Sequence, residues 1–242
     1  MPYIVVDAGH GGADNGAQYF GYKEKDINLR VATKITHRLR EIGFRVTQYR
    51  TDDSYIADAP ERGKQIAWLN PDFAISIHSN SSGGSGLLSG SEIITPLGKN
   101  IARFEYYARE NLSLLTNFRM IYSRFYDSEK IQERFIDPKT LFYTESIEDK
   151  DYYGIIREAW NGGVPLDIIE LFYLDNEDDL LNFLNLEDDY VEAIVYSLAQ
   201  TFNLKYDRNY STSFFTSNST STKLYYRIVS HSNSKSFLEP IF

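Results

Sequence analysis

Short apolar runs alternate with amphipathic stretches over the first half of the chain, and this alternation narrows the fold more than any other feature. Tyr3–Val6 is a four-residue apolar run ending at Asp7. A turn-rich loop, GHGGADNGAQYFG, separates it from a stretch in which Ile27, Val31, Ile35, Leu39 and Ile42 recur at steps of four and three. That spacing puts all five on one helical face and predicts a helix over 24–41. Gly43 stands where a helix C-terminal glycine belongs. Phe44–Tyr49 reads as a second strand. Pro60 starts a helix that runs to Trp68 and is stopped by Asn70-Pro71. Phe73–Ile77 and Glu92–Thr95 read as further strands, and a helix is expected over 101–112. Strands that alternate with helices in this way form an α/β sheet with helices on its faces.

Beyond residue 112 the pattern weakens. Residues 113–152 are rich in aromatic and charged side chains with no dominant period, and are expected to form an inserted element over one end of the sheet. The run LDIIEL at 166–171 reads as a last strand. Asp175–Asp179 is an acidic helix start, and Val191–Phe202 reads as a closing helix. Residues 1–203 are thus expected to be one domain. The stretch RNYSTSFFTSNSTSTK at 208–223 has linker composition, so a linker is placed at 204–223. Residues 224–242 hold one strand-like segment, LYYRIVS, too short to fold alone.

Three polar residues fall at strand ends. His10 follows the first strand, His78 ends the third in SIHSN, and Glu170 interrupts the last in IIELF. Ligands of open α/β sheets bind beyond the carboxyl ends of strands. Glu24 opens the first helix, which must start from the same edge if the sheet is parallel, so His10, Glu24, His78 and Glu170 are expected to converge. Two imidazoles and a carboxylate make a catalytic zinc site with a place left for water. Hydrolysis then needs a further carboxylate to carry a proton, and Glu170, in an apolar run, is suited to it because burial raises a carboxyl pKa. His10, Glu24 and His78 taken singly have blander readings, as a loop histidine, a first-turn helix carboxylate and a core histidine; Glu170 is harder to dismiss, because an unpaired carboxylate in a buried strand is costly. Asp7 and Asp14 have ligand chemistry too, but turn formation is the commoner role. His37 faces out of its helix and His231 lies in the tail.

Composition closes other routes. The chain has no cysteine, which excludes disulfides, thiolate metal sites and a cysteine nucleophile. With 25 Lys+Arg against 34 Asp+Glu the net charge is -9, so nucleic acid is not an expected partner. No stretch reaches the ~20 apolar residues of a membrane span. The opening MPYIVVDAGH lacks the basic and apolar regions of a leader. The expectation is a protein held in the cytoplasm, or a mature or trimmed secreted form.

The segments IVVDAGHGGADNGA, EKDINLRVA, PDFAISIHSNSS and PLDIIELFYLDNEDD, in that order, resemble the zinc-dependent N-acetylmuramoyl-L-alanine amidases of bacterial division, sporulation and phage lysis, the amidase type 3 group. The intervening YRTDDSYIADAPERGKQIAWLN is similar as well, and the likeness covers residues 1–203. It implies a mixed, mostly parallel six-stranded sheet flanked by helices. It also implies one zinc held by His10, Glu24 and His78, with Glu170 as catalytic glutamate. The implied substrate is peptidoglycan, cleaved between the lactyl group of N-acetylmuramic acid and L-alanine of the stem peptide. Such an enzyme would act on the cell wall as a phage lysin, an autolysin or a sporulation enzyme. The alternatives are a wall-binding module that keeps the fold without catalysis, which the presence of all four chemical residues disfavours, and a zinc peptidase or deacetylase of similar chemistry on another substrate. The chain departs from the family in reading Leu171-Phe172-Tyr173 where Gly-Phe usually follows the glutamate. The tail YYRIVSHSNSKSF resembles the opening strand of a sporulation-related repeat domain.

Overall fold

Tyr3–Ala8 is buried at all six positions, so the first strand, β1, lies inside the sheet and not at its rim. The computed structural model describes residues 1–54, 57–97, 103–127, 130–136 and 150–206, and the strand backbone alone at 215–216, 225–230 and 236–241. The chain divides into two units, Met1–Leu204 and Lys205–Phe242.

In the first unit, β1 leads through a small hairpin, β2 (Gln18–Tyr19) and β3 (Tyr22–Lys23), into helix α1 (Glu24–Glu41). There follow β4 (Arg45–Gln48), α2 (Ala59–Trp68), β5 (Phe73–Asn80), β6 (Ser91–Ile94), α3 (Arg103–Leu112), β7 (Phe118–Asp127), β8 (Lys130–Phe135) and β9 (Lys150–Asp151). The unit closes with α4 (Gly154–Asn161), β10 (Leu166–Tyr173) and α5 (Glu177–Thr201). The eight-stranded sheet runs β4-β1-β5-β10-β6-β7-β8, with β9 on β7. β4, β1, β5 and β10 are parallel neighbours, β6 is antiparallel to β10, and β7 is parallel to β6. The fold is therefore a mixed, mostly parallel α/β sheet flanked by helices. The central strands are near-continuous apolar runs because helices cover both their faces. Ile4, Val5, Val6, Ala74, Ile75, Ile77, Ile169 and Leu171 are all fully buried.

The helices start and stop for local reasons. Ile27, Val31, Ile35 and Leu39 turn α1 onto the sheet, while His37 is exposed. Asp58 caps α2 by accepting from Glu61 N–H at 2.9 Å, with Pro60 in the first turn. Asn176 caps α5 by accepting from Asp179 N–H at 3.1 Å. The two closing helices expected from the sequence form one element, broken at Leu186, whose backbone is non-helical (φ -120°, ψ 17°).

Residues 113–152 correct the sequence reading. Among the described residues of this stretch, β7 and β8 widen the sheet sideways from β6 and β9 joins β7, so the sheet has eight strands where six were expected. β7 alternates poorly because Ile121, Tyr122 and Ser123 are buried in succession. β8, KIQERF, is mostly exposed and charged, as suits the edge of a sheet. Residues 137–149 lie outside the described residues, as do His231 and all of the Ser/Thr-rich stretch except 215–216. In the second unit the one strand expected has company: β11 (Phe215–Thr216), β12 (Tyr225–Ser230) and β13 (Ser236–Ile241) form an antiparallel sheet. Among the described residues no helix is long and apolar enough to cross a membrane.

Candidate metal centre

Parallel pairing sets the site. Ala8 lies opposite Ile77 and Glu170 opposite His78, so His10, His78 and Glu170 reach the same carboxyl edge of the sheet. Glu24, the first residue of α1, meets them there. His10 Nε2 is 3.1 Å and His78 Nδ1 3.0 Å from Glu24 Oε1. One donor atom from each of His10, Glu24 and His78 lies within 4.8 Å of the other two. The three line a pocket of about 610 Å³ together with Arg62, Tyr153 and Glu170. All four residues singled out in the sequence therefore stand in one cavity.

Glu24 is held from several sides. Its Oε2 accepts from Ala17 N–H at 2.9 Å, and its Oε1 from Ser79 N–H at 3.2 Å and Asn28 Nδ2 at 3.3 Å. Burial alone would raise its pKa, but hydrogen bonds and charge from His10 and His78 outweigh that and hold the carboxyl well below its usual range. His10 responds in the opposite sense. Burial lowers its pKa, yet Glu24 and Asp14 together raise it to about 9. A field that holds a proton on an imidazole this firmly also favours a divalent cation. Two nitrogens and a carboxylate oxygen are a zinc donor set, so the residues fit that ion.

Asp14 does more than turn the chain. It accepts from Gly16 N–H at 3.0 Å, as a turn aspartate does, and its other oxygen stands 2.8 Å from His10 Nδ1. A carboxylate there fixes the ring's tautomer and leaves Nε2 pointing at Glu24. Gly9 has a steric role: a Cβ on it would stand 2.2 Å from His78 Cε1, so only glycine lets the loop pass the ring.

Two arginines shape the loop around His10, and nothing in their local sequence marks them out. Buried Arg50 donates to Ala8 O, Gly9 O and Lys25 O at 2.9, 3.0 and 2.7 Å. Buried Arg62 donates to Ala8 O and His10 O at 3.2 Å each and to both Asp7 oxygens at 3.3 and 3.2 Å. Asp7 is fully buried and also accepts from Ser76 Oγ at 2.7 Å. Asp7→Ala is expected to lower the unfolding free energy by ~3–5 kcal/mol, because it leaves the Arg62 charge buried without its counter-ion. Denaturant melts of the two proteins check this; equal midpoints would show that Asp7 carries no such weight.

Glu170 lies between charges. Its register partners are His78 on β5 and Glu92 on β6. Its Oε2 is inaccessible and has no hydrogen-bond partner among the described residues. Burial first, and then the Glu24 and Glu92 carboxylates, push its pKa well above the usual range, while His10 and Arg124 oppose them. Glu92 is itself satisfied, accepting from Tyr173 Oη at 2.6 Å, Arg119 Nε at 2.7 Å and Asn80 Nδ2 at 3.2 Å. Tyr173, at the departure from the family pattern, thus serves to hold Glu92. A pocket with a cation-seeking triad and an adjacent carboxyl of high proton affinity is equipped for acid–base hydrolysis.

Known proteins resemble this chain in sequence and in fold. A family model described as N-acetylmuramoyl-L-alanine amidase matches residues 4–201. The uncharacterized protein YqiI of Bacillus subtilis (strain 168) is 40% identical over 89 residues, which are 37% of this chain and 42% of that protein. The endolysin of Bacillus phage SPP1 is 25% identical over 208 residues, 84% of this chain and 66% of the endolysin. The chain therefore spans less than two thirds of either relative. The solved catalytic domain of CwlV, an N-acetylmuramoyl-L-alanine amidase from Bacillus (Paenibacillus) polymyxa var. colistinus, superposes with a TM-score of 0.65 at 23% identity. That match covers 85% of this chain and 100% of the solved chain, and it speaks for the fold.

Proposed function

The chain belongs to the N-acetylmuramoyl-L-alanine amidase family, and from that premise we propose that residues 1–203 are a zinc-dependent peptidoglycan amidase. The bond cleaved joins the lactyl group of N-acetylmuramic acid to L-alanine of the stem peptide. The observation that carries this reading is the set of donor atoms of His10, Glu24 and His78 within 4.8 Å, beside a buried Glu170 oxygen that has no hydrogen-bond partner among the described residues. We assign residues 204–223 as a linker and 224–242 as a tail related to a sporulation-type repeat.

In this reading His10, Glu24 and His78 hold one zinc ion. The ion, when bound, would polarise the amide carbonyl and make a water molecule more acidic. The residues of the chain do the rest. Glu170 takes the proton of the water that adds to the carbonyl carbon. It then delivers that proton to the amide nitrogen as the C–N bond breaks, leaving a lactyl carboxylate and the free amine of L-alanine. Asp14 holds the His10 ring, and Arg62 holds the loop that carries it. The wall lies outside the cytoplasm, so the protein acts as a lysin released at lysis or as an exported enzyme.

The test is direct. Purified protein is expected to contain one zinc per chain by elemental analysis and to release L-alanine amino termini from isolated sacculi. Muropeptide mass spectrometry should show glycan and intact stem peptides separated. Cleavage between stem amino acids, or loss of acetate with the lactyl amide intact, would overturn the reading in favour of a peptidase or a deacetylase.

A further inference from the structure

The hairpin that leads into Glu24 has an expensive residue at its tip. β2 and β3 pair with Tyr19 opposite Tyr22, which leaves Phe20 and Gly21 as a two-residue loop. Both have positive φ, 52° and 82°. This is the type I′ arrangement, in which Asn-Gly is the favoured pair. Glycine takes such a conformation freely, but a bulky L-residue in the left-handed region is strained. Burial does not offset the strain: Phe20 is 52% exposed, and Tyr22 beside it is 37% exposed. Turn chemistry does not account for a phenylalanine there, and about half of its surface stays open to solvent.

The same hairpin is fastened to the metal centre. Glu24 N–H donates to Ala17 O at 2.9 Å, and Ala17 N–H donates back to Glu24 Oε2 at 2.9 Å. Tyr19 Oη lies 3.4 Å from Ser81 Oγ, and Ser81 lines the pocket. The loop after Ser81 is fixed in turn, because Asp175 accepts from the backbone N–H groups of Ser82 and Gly84 at 3.0 and 2.9 Å. The aromatic tip is thus carried on an anchored rim.

We propose that Phe20 is a stacking platform for a sugar ring of the glycan strand whose lactyl amide enters the pocket. This rests on the amidase reading and extends it to a second contact with the same substrate. The chemistry selects a sugar. A ring exposed to water at a hairpin tip needs a ligand with one apolar face and a hydrated edge, and a pyranose has both. The stem peptide presents mainly amides and charges, for which the phenyl ring has no partner. A chain of net charge -9 has no long-range attraction to an anionic wall, so short-range contacts of this kind must supply the affinity.

The experiment titrates soluble glycan strands, freed of their stem peptides, into the full chain and into Phe20→Asn and Phe20→Trp. Phe20→Asn is expected to bind about tenfold more weakly, the weight of one lost aromatic contact. Its melting temperature should be equal or ~2 °C higher, since asparagine suits the turn. Phe20→Trp should keep the affinity. Undiminished binding by Phe20→Asn overturns the proposal. A melting temperature that falls along with the affinity also overturns it, by giving the ring a packing role. So does a variant that loses affinity for whole sacculi but not for stripped strands, which would move the contact to the stem peptide. Release of L-alanine amino termini from sacculi by the wild-type chain is measured alongside. Its absence would count against the amidase reading, whereas its presence with unchanged Phe20→Asn binding would count against the platform alone.

Discussion

Glu170→Ala is expected to retain zinc and fold while its turnover falls by about 10²–10⁴-fold, the usual worth of a positioned proton carrier. The argument is geometric before it is electrostatic. Glu170 is the register partner of His78, one residue from fully buried Ile169 and Leu171, so its place is set by the strand and survives truncation of its side chain. Its Oε2 is buried with no partner among the described residues, an arrangement that costs about 1–3 kcal/mol for a polar group. The variant should therefore melt no lower than the wild type, a case of stability gained where function is lost. Three measurements on one preparation check this: amine release from sacculi, zinc content and thermal melting. Wild-type turnover by Glu170→Ala would end the role assigned to Glu170. Zinc lost along with activity would make it a ligand and not a proton carrier.

His10→Ala and His78→Ala are each expected to lose zinc on dialysis, with an affinity loss larger than the ~10–100-fold caused by removing an outer partner of a ligand. Activity should disappear with the metal. The histidines are better probes than Glu24, which also accepts from Ala17 N–H, Ser79 N–H and Asn28, so that its removal would unsettle the start of α1 as well. Neither imidazole carries the fold in that way. Circular dichroism should stay native in both variants, and elemental analysis decides the question. Stoichiometric zinc retained by both would exclude them as ligands.

The legible part of the site is instructive. His10, His78 and Glu170 stand out because each breaks or ends an apolar run, and a polar residue in such a place needs a reason. Glu24 is legible only by inference, since a first-turn glutamate is ordinary until parallel pairing puts that turn at the shared edge. Asp14 has a local turn bond and a second bond to His10 that the sequence does not announce. Arg50 and Arg62 act across 41 and 52 residues on the backbone of Gly9 and His10, and spacing of that length carries no periodic signal.

By itself the sequence determined the element alternation over residues 1–112 and 166–202, the faces of the helices, and the identity of the four residues in the pocket. These follow from patterns only a few residues long, in which side-chain period and capping residues decide the local backbone. Only the tertiary structure decided that β10 lies between β5 and β6, which brings Glu170 and His78 into register. It alone turned residues 118–127, 130–135 and 150–151 into strands that widen the sheet, where aromatic content without alternation had suggested a separate cover. It also set Phe20 in the open, at a turn whose preferred residue it is not. The physical reason is the same in each case: pairing between distant segments is chosen by burial of whole faces and satisfaction of buried charges, and neither quantity exists until the segments meet.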